Sequence, residues 1–438
     1  MEAKGPRLAI IGLDGVPYEL IRDLAAKGVM PMVDELFQEG KLDKMASSVP
    51  AVSSVAWSSI ITGENPGTHG IFGFTDVAAG SYRLTFPNFA QLKAPPFWEE
   101  SLFGRSAILN VPSTYPARPM NGVHIAGFVA PDLTKAVYPP SLVDQLRAWE
   151  YEVDVDASSA HQSLELFLRK LNQTLDARTR AFLGLVERPW DTFMAVYTGT
   201  DRLLHFLWPA VTDPRHRLHE AALDYFRRVD HSIGRLVERL PEEAPLVMLS
   251  DHGFEALEIQ VNINRFLLQE GFLRWRRERP RSLNDLAEGS VAFALDPARI
   301  YLHRKGRYPR GTVGEDQAEK LVDQLAAALA ELRVEGREAV ARVYRRQEIY
   351  HGPQVDRAPD LVAIPAPGIE FKAGLEADSL AEPAAPFTGK HRGDNAFLYV
   401  RPPEGHEQPP QARSVQDVQP LLVWLKNSLC QSRRRNDE

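Results

Sequence analysis

Three short apolar runs in this chain each end in a side chain able to bind a metal ion. Leu8-Ala9-Ile10-Ile11-Gly12-Leu13 is followed at once by Asp14. Thr192-Phe193-Met194-Ala195-Val196-Tyr197 leads through Thr198-Gly199-Thr200 to Asp201, with His205 one helical turn further. Pro245-Leu246-Val247-Met248-Leu249-Ser250 runs into Asp251-His252-Gly253. Continuous apolar runs of this length read as strands buried on both faces, the kind found in parallel sheets. In open α/β sheets, ligands gather beyond the carboxyl ends of such strands. Acidic and imidazole groups delivered there from distant segments point to a metal centre rather than to surface charge.

The rest of the chain fits that architecture. Residues 18–27 read as a helix opened by Pro17 and ended by Gly28, and residues 32–39 as a second helix stopped by Gly40. After Pro50 the chain reads as a loop, then a short helix starting at Ser53 or Ser54. Asn65-Pro66-Gly67 reads as a turn, and residues 106–111 as a strand with Asn110 near its end. Residues 158–186 and 215–240 repeat apolar side chains at helical spacing. Strands alternating with helices predict an α/β fold with a central, mostly parallel sheet between helices. Residues 263–350, dense in arginine around Arg274, break the alternation and read as an inserted cap subdomain. Residues 1–262 and 351–430 are then the core. Residues 361–364 and 396–400 read as returning strands, with Pro-rich loops at 365–386 and 401–411. A last helix is expected over 415–429, followed by a disordered tail at 431–438.

Bulk composition removes several classes of function. The formal net charge of the 438 residues is -7, so the chain lacks the basic excess of a nucleic-acid binder. No stretch approaches the roughly 18 apolar residues of a membrane span. One cysteine, Cys430, permits no internal disulfide and suits a reducing compartment, so a cytoplasmic protein is expected.

Sorted by reach, the candidate ligands form two sets. Asp201 and His205, at i and i+4, share one helix face and combine with His391 from Gly389-Lys390-His391-Arg392. Asp14, Asp251 and His252 form the other. Three mixed oxygen and nitrogen ligands apiece suit zinc, or manganese as a harder alternative, and leave each ion an open position. Two such ions would clamp the entering and leaving oxygens of a phosphoryl transfer. Ser53, at a helix start, is the candidate nucleophile, activated by the metal at the Asp14 set. Singly, Asp14 also reads as a turn former, His205 as an ordinary helical histidine and Ser53 as a helix cap. His69, in a Gly/Pro turn, reads as structural.

The chain resembles the alkaline phosphatase superfamily, and within it the type I phosphodiesterase/nucleotide pyrophosphatase branch. It is also similar to a bacterial and archaeal group of predicted phosphohydrolases or phosphomutases. The resemblance is carried by Gly12-Leu13-Asp14-Gly15, Pro50-Ala51-Val52-Ser53 with Ala56-Trp57, and Thr62-Gly63 through Pro66-Gly67-Thr68-His69-Gly70-Ile71. It continues in Gly199-Thr200-Asp201-Arg202-Leu203-Leu204-His205, Ser250-Asp251-His252-Gly253-Phe254 and Gly389-Lys390-His391. The resemblance implies an alkaline phosphatase-like fold, two divalent metals, zinc as a rule, and a Thr or Ser that takes up the phosphoryl group. It implies that Asp14, Ser53, Asp251 and His252 hold one metal, and Asp201, His205 and His391 the other. The implied activity is a phosphoester hydrolase, a phosphodiesterase first, acting on a small-molecule phosphoester. A phosphomutase or phosphomonoesterase using the same site is the alternative, and a non-catalytic binding protein of the same fold the rival from another class. The sulfatase branch is disfavoured, because Ser53-Ser54-Val55-Ala56-Trp57 lacks its Cys/Ser-x-Pro-x-Arg pattern. Two departures stand out. Nucleotide pyrophosphatases have threonine as nucleophile and a nearby asparagine that contacts phosphate; here those positions are Ser53 and Ala56. Asn110, Lys390 and Arg392 are the candidates to contact substrate in its place.

Overall fold

A computed structural model describes residues 7–403 and 409–437, the stretch 431–437 as backbone alone. The chain forms two compact units: one drawn from 1–64, 88–254 and 391–438, the other from 65–87 and 255–390.

The first unit is built on an eight-stranded sheet. Its strands are β1 (Leu8–Leu13), β2 (Lys41–Met45), β3 (Ser106–Val111), β4 (Gly122–Ala126), β5 (Val137–Tyr138), β6 (Thr192–Tyr197), β7 (Leu246–Leu249) and β8 (Ala396–Arg401). Their spatial order is β2-β8-β7-β1-β6-β3-β4-β5. The neighbours β7-β1-β6-β3-β4 pair in parallel. β8 runs antiparallel between β7 and β2, and β5 closes the other edge antiparallel. β1, β3, β6 and β7 are buried along their whole length, as continuous apolar runs sandwiched between helices require. The edge strand Lys-Leu-Asp-Lys-Met is largely exposed, and its charges suit an edge that must not pair with another chain.

Strand direction positions the site. The parallel strands end at one rim, where Asp14, Asp201 and Asp251 follow β1, β6 and β7. β8 runs the other way, so the residues preceding it lie at that same rim, and His391 is among them. β2 is antiparallel to β8, so its far end also opens there, and residues 46–52 lead from it to the helix Ser53–Thr62.

Several expectations are refined. The helix expected over 158–186 is two, Ser159–Gln162 and Leu164–Val186, because Ser163 is extended and its hydroxyl caps the Leu166 N–H at 3.3 Å. The helix expected from 215 begins at His219. Pro66–His69 is one helical turn capped by Asn65 rather than a bare turn. The Pro-rich stretch 365–386 contains the strands Gly368–Lys372 and Ala381–Pro383. Residues 415–417 form a 3-10 turn, and the final helix, Val418–Asp437, continues through most of the expected tail; Glu438 lies outside the described residues, as do 404–408 of the loop at 401–411.

The second unit is wider than the expected 263–350 insertion. It holds an antiparallel sheet of Ala292–Leu295, Arg299–Leu302, Leu361–Pro365 and Val340–Arg345, with the helix Glu315–Ala330 packed on it. Its core includes Phe293, Tyr301, Leu325 and Leu361.

Candidate metal centre

At the rim of the parallel strands, the side chains expected to form two ligand sets do converge. Asp14, Asp251 and His252 each offer one ligand atom within 4.8 Å of the others, as do Asp201, His205 and His391. The sets abut, for the rings of His252 and His391 stack with centroids 3.7 Å apart.

Local backbone geometry fixes the first set. Gly15 turns the chain with φ +73°, and its N–H donates to Asp251 Oδ1 at 3.1 Å. A Cβ at that position would lie 2.8 Å from the Phe254 ring, so glycine serves both the turn and the packing. Trp57 Nε1–H donates to Asp14 Oδ2 at 3.2 Å. His252 Nδ1–H donates to the Gly253 carbonyl at 3.1 Å, which leaves the Nε2 lone pair free. That lone pair faces Ser53 Oγ at 3.2 Å, Asp251 Oδ2 at 3.3 Å and Asp14 Oδ1 at 3.8 Å. Ser54 Oγ, the adjacent hydroxyl, is buried without a hydrogen-bond partner.

The second set hangs on the helix Gly199–Thr212. Its first residue is glycine because a Cβ would meet the Tyr225 hydroxyl at 2.0 Å. Thr200 Oγ1 donates to the Asp14 carbonyl at 2.6 Å and so ties the two rim loops together. His391 Nδ1–H donates to the Ala51 carbonyl at 3.0 Å, turning Nε2 toward Asp201 Oδ1 at 3.2 Å and His205 Nε2 at 2.9 Å.

Electrostatically, the first set is short of positive charge. Burial holds the Asp14 carboxyl well above the usual carboxylate range, and repulsion from Asp251 and Asp201 adds to it. Burial raises Asp251 too, with Asp201 adding repulsion. Burial, reinforced by the charge on His391, keeps His252 neutral. In the second set burial would raise Asp201, yet His205 and His391 together hold it low. Burial opposes protonation of His391, and the bond to Asp201 outweighs it.

Asp14 Oδ1 and Asp251 Oδ2 are buried with no hydrogen-bond partner. Buried carboxylate oxygens without a donor are costly in a native fold. Two of them facing an imidazole lone pair and a serine hydroxyl make a donor set that a divalent cation satisfies. The residues therefore fit a metal ion.

Residues 8–394 match the sequence model of the type I phosphodiesterase / nucleotide pyrophosphatase family. The chain belongs to that family. It is thereby a member of the alkaline phosphatase superfamily and of a metal-dependent family of phosphoester hydrolases. Solved structures agree in fold. Phosphonoacetate hydrolase from Sinorhizobium meliloti 1021, solved with phosphonoformate, is 16% identical at TM-score 0.65, with 97% of this chain and 96% of that one covered. Murine ectonucleotide pyrophosphatase / phosphodiesterase 5 is 14% identical at TM-score 0.57, with 96% and 95% covered. No curated protein matches the chain. No helix among the described residues is long and apolar enough to cross a membrane.

The three residues expected to contact substrate in this family member sit differently from the ligand sets. Asn110 is fully buried. Its amide donates to the Val196 carbonyl at 3.0 Å and Thr198 Oγ1 at 3.4 Å, and its oxygen accepts from the Tyr151 hydroxyl at 3.0 Å. With these internal partners, Asn110 braces the rim. Lys390, in the second unit, pairs with Glu255 at 2.8 Å. Arg392 pairs with Asp394 at the surface.

Two supporting groups escaped the sequence reading. Trp57 was legible only as part of a motif. Arg202, a charge between Asp201 and His205 on an otherwise apolar helix, was the available signal. Its Nε–H and Nη2–H donate to Asp154 Oδ2 at 3.0 and 2.7 Å, and Nη1 lies 3.5 Å from Asp201 Oδ2.

Proposed function

We propose that the chain is a phosphodiesterase that works through a phosphoserine at Ser53 and two divalent cations, zinc first and manganese as the harder alternative. Asp14, Ser53, Asp251 and His252 would hold one ion, and Asp201, His205 and His391 the other. The observation that carries the reading is the meeting of two three-ligand sets beside one serine hydroxyl, with buried carboxylate oxygens that have no other partner. The substrate is a small-molecule phosphodiester. The single cysteine supports a reducing, cytoplasmic setting.

Bound there, the cations supply Lewis-acid charge at the attacking and departing oxygens. Ser53 Oγ gives its proton to solvent water and attacks phosphorus in line. The bond from phosphorus to the departing alcohol breaks, and the alcohol oxygen keeps the electron pair and takes a proton back from solvent. The helix beginning at Ser53 adds favourable potential for the phosphoryl oxygens at its N-terminus. Water then cleaves the phosphoserine from the vacated side and restores the hydroxyl. Second-set residues are already oriented for their part, since the Ala51 carbonyl fixes His391 and Arg202 faces the Oδ2 side of Asp201.

Ser53→Ala should lower turnover of bis(p-nitrophenyl) phosphate by roughly a thousandfold or more while the fold persists. Acid quenching of the wild type during turnover should trap a p-nitrophenyl phosphoryl group on the peptide containing Ser53. Near wild-type turnover in the variant would sink the nucleophile assignment.

A further inference from the structure

A cavity of about 690 Å³ lies beside Arg202 in the first unit. Pockets of roughly 300–1,000 Å³ are the size that encloses a small organic ligand. Phe128, Val129, Leu133, Val153 and Val155 supply apolar wall. Its charged lining is Glu152, Asp154, Asp156 and Arg202, three carboxylates against one guanidinium.

Arg202 is shared between the wall of this cavity and the metal centre. It follows Asp201 in sequence, and its Nη1 lies 3.5 Å from Asp201 Oδ2. The same guanidinium lines the cavity, where it is bound by Asp154 and lies 4.1 Å from the Phe128 ring centroid. With a carboxylate on either side, Arg202 is already neutralised and offers no spare charge to an entering anion. Asp156 is paired with Lys170 at 3.1 Å, so Glu152 is the carboxylate left over, and its charge makes the lining repel an anion. The apolar wall places no such condition on an uncharged group.

We propose that this cavity receives the organic group of an ester whose phosphorus sits at Ser53, and that the group is apolar and uncharged, an aryl or alkyl alcohol residue. A second phosphate or a carboxylate at that end of the substrate is disfavoured. The inference rests on the phosphoester reading of the Ser53 centre.

Phosphonates that keep one organic group on phosphorus separate the two. Titration calorimetry on the zinc-loaded full chain would compare methylphosphonate, phenylphosphonate, 1-naphthylphosphonate and 4-carboxyphenylphosphonate. Affinity should rise at least roughly tenfold from methyl to naphthyl, as burial of an aromatic face predicts. The carboxyl group should cancel most of the phenyl gain. Ala157→Trp, which fills the cavity from a half-buried position on its wall, should abolish the size preference and leave methylphosphonate binding unchanged. Val153→Trp carries the same test should the first variant fail to fold. Methylphosphonate binding with no preference for size, a preference that survives both tryptophans, or tighter binding of the carboxyaryl compound would each overturn the cavity assignment alone. Failure of all four compounds to bind would overturn the phosphoester reading and this proposal with it.

Discussion

The sharpest test of the metal centre is a substitution whose effect on stability should reverse with metal. Asp14 and Asp251 present buried carboxylate oxygens within 4.8 Å of each other. With an effective dielectric constant near 20, two unit charges at that separation repel by about 3.5 kcal/mol, and holding a proton on the raised Asp14 carboxyl at neutral pH instead costs the metal-free fold a similar amount. Asp251→Asn removes one charge while keeping the shape. Its Oδ1 can still accept the Gly15 N–H, and its new N–H group takes the place of the unpartnered Oδ2 and can donate to the neighbouring Asp14 carboxyl. In chelator the variant should therefore be more stable than wild type by about 2–4 kcal/mol, combining lost repulsion with a gained hydrogen bond. For a chain of 438 residues that is an upward shift in Tm of roughly 2–4 °C. With saturating zinc the order should invert. An amide is a weaker ligand than a carboxylate, and a loss of affinity of roughly a thousandfold or more forfeits about 4.1 kcal/mol or more of metal-linked stability. Scanning calorimetry of both proteins, with chelator and with zinc, reads all four numbers. A variant less stable than wild type in chelator would refute the argument, for it would mean that the two carboxylates are not in conflict when metal-free.

Other perturbations have equally definite outcomes. Trp57→Phe deletes the hydrogen bond to Asp14 Oδ2, and competition with a chelating dye should show roughly 10–100-fold weaker metal binding; unchanged affinity would mean that Trp57 is packing only. Gly199→Ala drives a methyl into the Tyr225 hydroxyl and should cost about 1–3 kcal/mol in urea unfolding, most of it recovered in the double variant with Tyr225→Phe; no recovery would place the strain elsewhere. Burial lowers the buried His124 to about 3, so its neutral form stabilises the fold above its unfolded pKa of about 6.5, and that stability is lost as pH falls toward the folded value. At pH 5 the loss should reach about 2 kcal/mol, and His124→Leu should remove that share of the acid sensitivity; an identical acid dependence in both proteins would contradict the assignment.

How much could be read from sequence follows from the range of the interactions involved. β1 and β6 were legible to the residue because a continuous apolar run ends abruptly in polar groups on a double-sided sheet. β2 was not, since an exposed edge strand such as Lys-Leu-Asp-Lys-Met has neither apolar alternation nor a buried face. The second unit reaches beyond the expected 263–350 because residues 361–364, read as a strand returning to the core, pair with Arg299–Leu302 and Val340–Arg345 instead, and Pro-rich sequence at 365–386 concealed two short strands. At the site, the candidate ligands stood out because carboxylate and imidazole are unusual just beyond buried strands. Asn110 shares that placement and that burial, and only its three internal partners set it apart. Ser53 and Ser54 could not be told apart by adjacency; the helix start turns one hydroxyl toward His252. Asp154 was invisible because its partner, Arg202, lies 48 residues away.

Strand order explains why ligands so far apart in sequence can meet at all. β7, β1 and β6 are consecutive neighbours, and strands in a sheet lie about 4.8 Å apart. The loops bearing Asp251, Asp14 and Asp201 therefore leave the sheet within roughly 10 Å of one another before any side chain is placed. His391 obeys the same geometry in reverse. It lies before its strand, where the usual rule for parallel sheets does not look, and the antiparallel course of β8 returns it to the common rim. Its imidazole then needs only the Ala51 carbonyl to fix the tautomer and aim Nε2 at Asp201. Ala51 lies two residues before Ser53, so one loop both orients a second-set histidine and carries the serine. A shift in that loop must therefore disturb the proposed nucleophile and the proposed second metal together.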